Sequence, residues 1–344
     1  MYFGYFILAF LISFLLTVLV RWFMKRWEIV DWPRTEERKI HKKKIPLGGG
    51  LAIFGSFFIL AFLLFWHGNW LGINIDHNHV LALFIGGLVL LIGGFVDDKY
   101  NLRPRYQLLS PIIASLIIVA FGIGPSIITN PFGGVWQLNN WQLNDYLTSA
   151  NLLVFLWLMG MMYTTKLLDG LDGLVSGIVA IGALLIGILC LQTAWLQPDV
   201  ALLAIIFSGA CTGFLVWNWH PAKIFLGEGG SLFTGFILGS LAIIAGGKIA
   251  ITVLIMGVPM FDIVRVMILR IRKDKSIFSG DREHLHFRLL ASGLSQKQTV
   301  LLFYAIALLF GVTALFLQSS QKLIALIFLF VLMILTGLWF TKKS

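Results

Sequence analysis

Eleven apolar runs of about twenty residues each fill most of the chain, at approximately 2–24, 47–66, 80–96, 107–127, 147–166, 173–194, 200–217, 231–246, 249–269, 299–317 and 323–341. A helix of about 20 residues crosses the hydrocarbon core of a bilayer. In lipid each segment must satisfy its own backbone polar groups, so runs this long are helices and not barrel strands. The pattern predicts an all-α polytopic integral membrane protein with about 11 transmembrane helices. No linker or compositional shift interrupts it, which predicts a single transmembrane domain over 1–344. Charged residues make up only 12% of the chain, about half the share in a soluble domain. The first run lacks a basic leader and a small-residue cleavage site, so it is read as a span and not as a signal peptide. Cys190 and Cys211 fall inside runs and are read as packing residues.

The basic residues orient the spans. If successive loops alternate sides, 24 of the 26 Lys and Arg share one side, and only Lys248 and Lys322 fall on the other. Positive charge marks the cytosolic side. This predicts the N-terminus outside and the C-terminus in the cytoplasm. The net charge of +10 is thereby a topology signal that also attracts anionic lipid and phosphate. It calls for no nucleic acid.

Thirteen of the 16 acids lie on the same side; Asp76, Asp145 and Asp199 lie outside. Several stand at span ends: Asp97 and Asp98 in "GGFVDDKYNLRPR", Asp169 and Asp172 in "TTKLLDGLDGLVSG", and Glu228 in "NWHPAKIFLGEGGS". Asp262 lies late in the ninth run. Carboxylates at membrane depth are costly and point to function. Each has a plainer reading. Asp97 and Asp98 could be neutralised by Lys99, Arg103 and Arg105; Lys166, Asp169 and Asp172 share a helix face and could form an ion-pair ladder. Glu228 could be a surface acid, although its glycine-rich turn offers N–H groups to phosphate at a helix start. Asp262 with Arg265 reads as an intrahelical pair. "DREHLHFRLL" reads as an interfacial amphipathic helix, with Leu285 and Leu289 on one face and His284 and Arg288 on another.

The basic loop "DWPRTEERKIHKKKIPLGGG" completes the set with His41 and the run Lys42–Lys44. Carboxylates, basic groups and glycine turns at one membrane face suggest phosphate with a divalent metal, since oxygen ligands plus substrate phosphates are the usual magnesium arrangement. That depth suits a lipid phosphate meeting a cytosolic nucleotide.

These segments, in this order, resemble the polyprenyl-phosphate N-acetylhexosamine-1-phosphate transferases. That family includes enzymes that start O-antigen, enterobacterial common antigen and teichoic acid linkage, with the phospho-MurNAc-pentapeptide transferase as a more distant relative. The likeness runs from the Asp31 region to about Gln298. It takes in "KLLDGLDGL", "VPMFDIVRVMILR" and "DREHLHFRLLASGLSQKQ" besides the stretches above. The His-Leu-His segment is similar to the GlcNAc-type branch.

The resemblance implies a transferase that moves N-acetylhexosamine 1-phosphate, GlcNAc 1-phosphate first among the choices, from a UDP-sugar to undecaprenyl or another polyprenyl phosphate. UMP is released at the cytoplasmic face of a multi-pass plasma-membrane protein. Its catalytic loops are expected at about 25–46, 97–107, 166–173, 218–231 and 270–298. It implies Asp97, Asp98, Asp169 and Asp172 as catalytic residues. His41, Lys44, Lys166, Asn218, His284, His286 and Arg288 are implied as substrate contacts. Glu228, Asp97 and Asp98 are implied as ligands of Mg²⁺, with Mn²⁺ an allowed substitute. The bilayer is a partner, and a homodimer is an allowed assembly.

Three positions depart from the family's pattern. It usually has Asn at the place of Lys166, Asp at that of Glu228 and often His at that of Phe287. A lysine cannot ligate a metal as an ammonium. It is expected instead to neutralise phosphate, or to pair with Asp169 or Glu228, the longer glutamate reaching across to it. Two other readings stay open: an inactive relative acting as a scaffold, and a secondary transporter. The transporter would want charge near the bilayer midplane.

Overall fold

A computed structural model describes residues 1–33, 43–66, 74–125, 127–130, 133–138, 148–192, 196–246, 248–272 and 283–341. Each of the eleven apolar runs contains a helix. The helices are α1 (Tyr2–Arg26), α2 (Gly50–Trp66), α3 (His77–Tyr100), α4 (Pro104–Gln107), α5 (Leu109–Ala120), α6 (Ser149–Leu168) and α7 (Leu174–Cys190). They continue with α8 (Pro198–Asn218), α9 (Glu228–Ile244), α10 (Ile249–Ile255), α11 (Gly257–Arg272), α12 (Leu285–Ala291), α13 (Gln296–Phe316) and α14 (Ser319–Thr341). The only strands among the described residues form two small antiparallel ribbons, Val30–Asp31 with Ile45–Pro46 and Ile127–Thr129 with Val135–Gln137.

Helices α1, α3, α6, α8 and α13 are each long and apolar enough to cross a membrane, and the bent pair α10–α11 makes a sixth candidate. The fold is therefore that of an all-α membrane protein. Its outer helices expose apolar side chains such as Phe3, Leu15, Leu309 and Phe316, as a lipid-facing surface requires. Helix α9 lies at the centre, buried from Gly229 to Ile243 and packed on α3, α6, α7 and α2.

The run expected as one helix over 249–269 is broken. Its two halves meet at 77°. Pro259 accounts for the break, because it has no N–H to donate to the carbonyl of Ile255 and is tolerated only near a helix start. It falls in the first turn of α11.

Glycines set how closely the helix ends converge on α9. A Cβ on Gly94 would stand 2.0 Å from the backbone nitrogen of Gly229, and one on Gly50 would stand 2.2 Å from Cα of Gly230. Both obstacles are backbone and cannot turn aside. Gly94→Ala is therefore expected to lower the apparent unfolding temperature of the detergent-purified protein, at a cost of at least about 1–3 kcal/mol for overpacking. Gly4→Ala, where nothing lies within 4 Å, is the matched control and is expected to leave it unchanged. Equal melting of the two variants would contradict the close approach.

Candidate active site

The first turn of α9 gathers the acidic span ends. The backbone N–H of Glu228 donates to Oδ1 of Asp98 at 3.1 Å, so the carboxylate sits on the positive end of the helix dipole. The side chain of Glu228 reaches the last turn of α6, where its Oε2 pairs with Nζ of Lys166 at 2.8 Å. Lys166 also donates to Oε1 of Gln107 at 3.0 Å. The amide of Gln107 donates in turn to Oδ1 of Asp97 at 3.1 Å, which also accepts from the N–H of Leu102 at 2.8 Å. A polar relay thus runs from Asp97 through Gln107 and Lys166 to Glu228. The expected pairing of Lys166 with Glu228 is present.

Asp169 caps the end of α6. Its tip is open to solvent, while protein surrounds it in the wider shell. That desolvation, followed by the charges of Glu228 and Asp172, pushes its pKa up to about 8. Asp172 is held by His220, whose Nδ1 lies 2.6 Å from Oδ2, and by the N–H of Ala222 at 3.1 Å. Asn218, expected to touch substrate, is buried and bonded within the protein. Its Oδ1 accepts from the N–H of Gly173 and the hydroxyl of Ser176, and its amide donates to the carbonyl of Ile224. It braces the α6–α7 turn against the α8–α9 turn.

The histidine segment closes one side. Asp262 of α11 accepts from Arg265 at 2.7 Å, the anticipated intrahelical pair. It also lies 2.9 Å from Nδ1 of His284 and accepts from the N–H of Leu285 at 3.0 Å. These bonds fix the start of α12 and turn the His284 ring so that its Nε2 is not the atom held by Asp262. His286 stacks on His284 with the rings 5.7 Å apart and covers Gly170, where a Cβ would stand 2.5 Å from Nε2. It is 1% exposed, and neither ring nitrogen has a hydrogen-bond partner among the described residues. Burial, with His284 beside it, holds its pKa down to about 3, so the ring is neutral. Arg288 pairs with Glu283 at 2.5 Å. Lys44 lies over the ring of Trp32 at 3.4 Å, and His41 lies outside the described residues.

Three participants escaped the sequence reading. Gln107 was counted into an apolar run, although it ends the polar turn "RPRYQ". His220 stands inside the quoted "NWHPAK" with no role assigned. Asp262 was matched to Arg265 but not to His284, 22 positions away.

The magnesium expectation meets a specific obstacle. Asp97 turns its Oδ1 to its own loop and Glu228 faces Lys166. Among the described residues no three of His, Cys, Asp and Glu converge as a metal-holding group. The misfit lies in Glu228, whose Oε2 faces the ammonium of Lys166 at 2.8 Å, where a magnesium held by one or two carboxylates and substrate phosphates would need that oxygen free.

Fold and site together define a class: a polytopic membrane protein with a carboxylate and lysine cluster where several helix ends meet. Comparison with known proteins gives that class a family. The description "Glycosyl transferase family 4" matches residues 80–246, which include Asp97, Asp98, Lys166, Asp169, Asp172 and Glu228. The chain is 32% identical over 338 residues to a probable undecaprenyl-phosphate N-acetylglucosaminyl 1-phosphate transferase of Bacillus subtilis, covering 95% of this chain and 89% of the relative. It is 31% identical to a decaprenyl-phosphate N-acetylglucosaminephosphotransferase of Mycobacterium leprae, covering 86% and 78%. It is also 31% identical to a phospho-N-acetylmuramoyl-pentapeptide-transferase of Anoxybacillus flavithermus, covering 90% and 96%. The chain belongs to glycosyl transferase family 4.

Proposed function

We propose that this chain transfers N-acetylglucosamine 1-phosphate from UDP-GlcNAc to a polyprenyl phosphate, releasing UMP and starting a cell-envelope glycan. The relatives named above support the acceptor and the donor class. The observation that carries the reading is the gathering of Asp98, Lys166, Asp169 and Glu228 around the start of α9.

An oxygen of the acceptor phosphate attacks the β-phosphorus of the donor. The bond from that phosphorus to the bridging oxygen breaks, and UMP departs with the oxygen and its electron pair. A phosphate monoester is largely deprotonated at neutral pH, with its second pKa near 6, so the attack needs no strong base. Transfer of this kind rests on positioning and charge neutralisation. Lys166 and the positive end of α9 supply charge, Asp98 and Asp169 orient it, and α12 walls the site with His284 and His286. The apolar side chains of Leu51, Leu91, Phe95 and Leu226 line the wall beside Asp98.

The proposal includes eleven spans in one domain, the N-terminus outside, the C-terminus in the cytoplasm, and the site at the cytoplasmic face of the plasma membrane. The one-sided basic loops support this. Among the described acids, Asp97, Asp98, Asp169, Asp172 and Glu228 all stand at helix ends, which speaks against the midplane charge of a transporter. Purified protein with UDP-GlcNAc and undecaprenyl phosphate is expected to release UMP; no UMP under any ionic condition would leave the scaffold reading. For topology, Tyr100→Cys and Trp136→Cys place thiols at exposed sites, while Cys190 and Cys211 are buried. Position 100 is expected to react only from the cytosolic side and position 136 only from outside. Outside labelling at 100 would place the cluster away from any nucleotide sugar.

A further inference from the structure

We infer that the ammonium of Lys166 is the resident cation of the carboxylate cluster and stands in place of a protein-bound divalent metal. The inference rests on the transferase reading above and concerns how that site neutralises charge.

Nζ of Lys166 occupies the position a cation would need. It lies 2.8 Å from Glu228 and 3.0 Å from Gln107, and its side chain is only 13% exposed. Gln107 ties it to Asp97, and the backbone of Glu228 ties the pair to Asp98. Asp169 stands one helical turn after Lys166, near the charges of Glu228 and Asp172. One acid, Glu228, thus pairs with the lysine directly, and Asp97 and Asp98 are joined to it through Gln107 and the backbone of Glu228.

The distances are those of an ammonium. Its hydrogen bonds to oxygen run at about 2.7–2.9 Å. Magnesium requires oxygens in an octahedron at about 2.0–2.1 Å, and with the ammonium of Lys166 between them Glu228 and Gln107 are held at ammonium distances instead. Of its three donors the ammonium gives one to Gln107, and it pairs with Glu228 by charge. The length of both side chains is what lets α6 and α9 meet in this way. A lysine carries one positive charge and magnesium two. The start of α9 adds the equivalent of about half a charge, which Asp98 faces.

Two measurements on the purified full-length protein decide this. In the first, UMP release from UDP-GlcNAc and undecaprenyl phosphate is compared in excess EDTA and in Mg²⁺. The rate in EDTA is expected to stay within about twofold of that in Mg²⁺, whereas removal of a group that supplies transition-state charge costs about 100-fold or more. In the second, Mn²⁺ is titrated without substrates and followed by electron paramagnetic resonance. The parent is expected to bind no stoichiometric Mn²⁺, and the double variant Lys166→Asn with Glu228→Asp to gain one site and EDTA-sensitive turnover. Release of UMP only with Mg²⁺, or one Mn²⁺ bound by the parent and displaced by Mg²⁺, would overturn the inference. Both parent measurements stand even if the double variant does not fold. A parent that releases no UMP in either condition removes the transferase reading, and the Mn²⁺ titration still decides the cation.

Discussion

Asp98→Asn is expected to lower UMP release by about 100-fold or more while leaving the unfolding temperature close to that of the parent. Asparagine keeps the shape and the acceptor oxygen. The N–H of Glu228, which donates to Oδ1 at 3.1 Å, therefore keeps its partner, and α9 keeps its start. What is lost is one negative charge beside Glu228 and Lys166. Asp98 acts by positioning, and a misplacement of about 1 Å at a reacting centre can cost about 10²-fold. The check is to run turnover and thermal unfolding on the same preparation. Near-parent turnover would take Asp98 out of the catalytic group, and a collapsed melting curve would make its role structural. Asp97→Asn is the companion variant. It keeps the acceptor for Leu102 and Gln107, so a fall in turnover there would report charge and not a broken loop.

The largest stability effect is expected from Asp262→Ala. Asp262 is 4% exposed and holds Arg265, His284 and the N–H of Leu285. Removing one partner of a buried ion pair leaves the other charge uncompensated, at a cost of about 3–5 kcal/mol. The loss also frees the start of α12, and with it His284 and His286. Thermal unfolding should shift strongly downward, and KM for UDP-GlcNAc should rise in whatever protein stays folded. Asp262→Asn retains acceptor oxygen and should be milder in both. If the alanine variant melted like the parent, the anchoring of α12 would not depend on this carboxylate.

Much of the fold follows from periods and lengths that a sequence displays. Each apolar run became a helix because a segment in lipid has few other ways to satisfy its backbone. The break at Pro259 escaped because hydropathy is indifferent to a missing N–H, although "GVPM" carried the signal. In the site, the acids at span ends were legible, since a carboxylate in an apolar context stands out. Their partners were less so. Nothing local joins Gln107 to Lys166, 59 positions apart, or Asp172 to His220, 48 apart. The bracing role of Asn218 was not legible, because an amide reads the same in sequence whether it holds a ligand or its own backbone. Arg288 reads as a cation for phosphate, yet Glu283 lies close enough to pair with it. The Lys166–Glu228 pair was within reach because both residues depart from the family's pattern at once, and opposite charges changing together invite contact.

That pair also bears on descent. A lineage that replaced Lys166 alone would leave Glu228 facing Asp98 and Asp169 with its counter-charge gone. One that replaced Glu228 alone would leave the ammonium with Gln107 as its remaining partner. Each single step is expected to pass through a protein weaker than either endpoint, so the two positions, 62 apart in the chain, are expected to change together. Homologues that carry only one half are expected to be rare, and to show a third change near Gln107 that restores the balance.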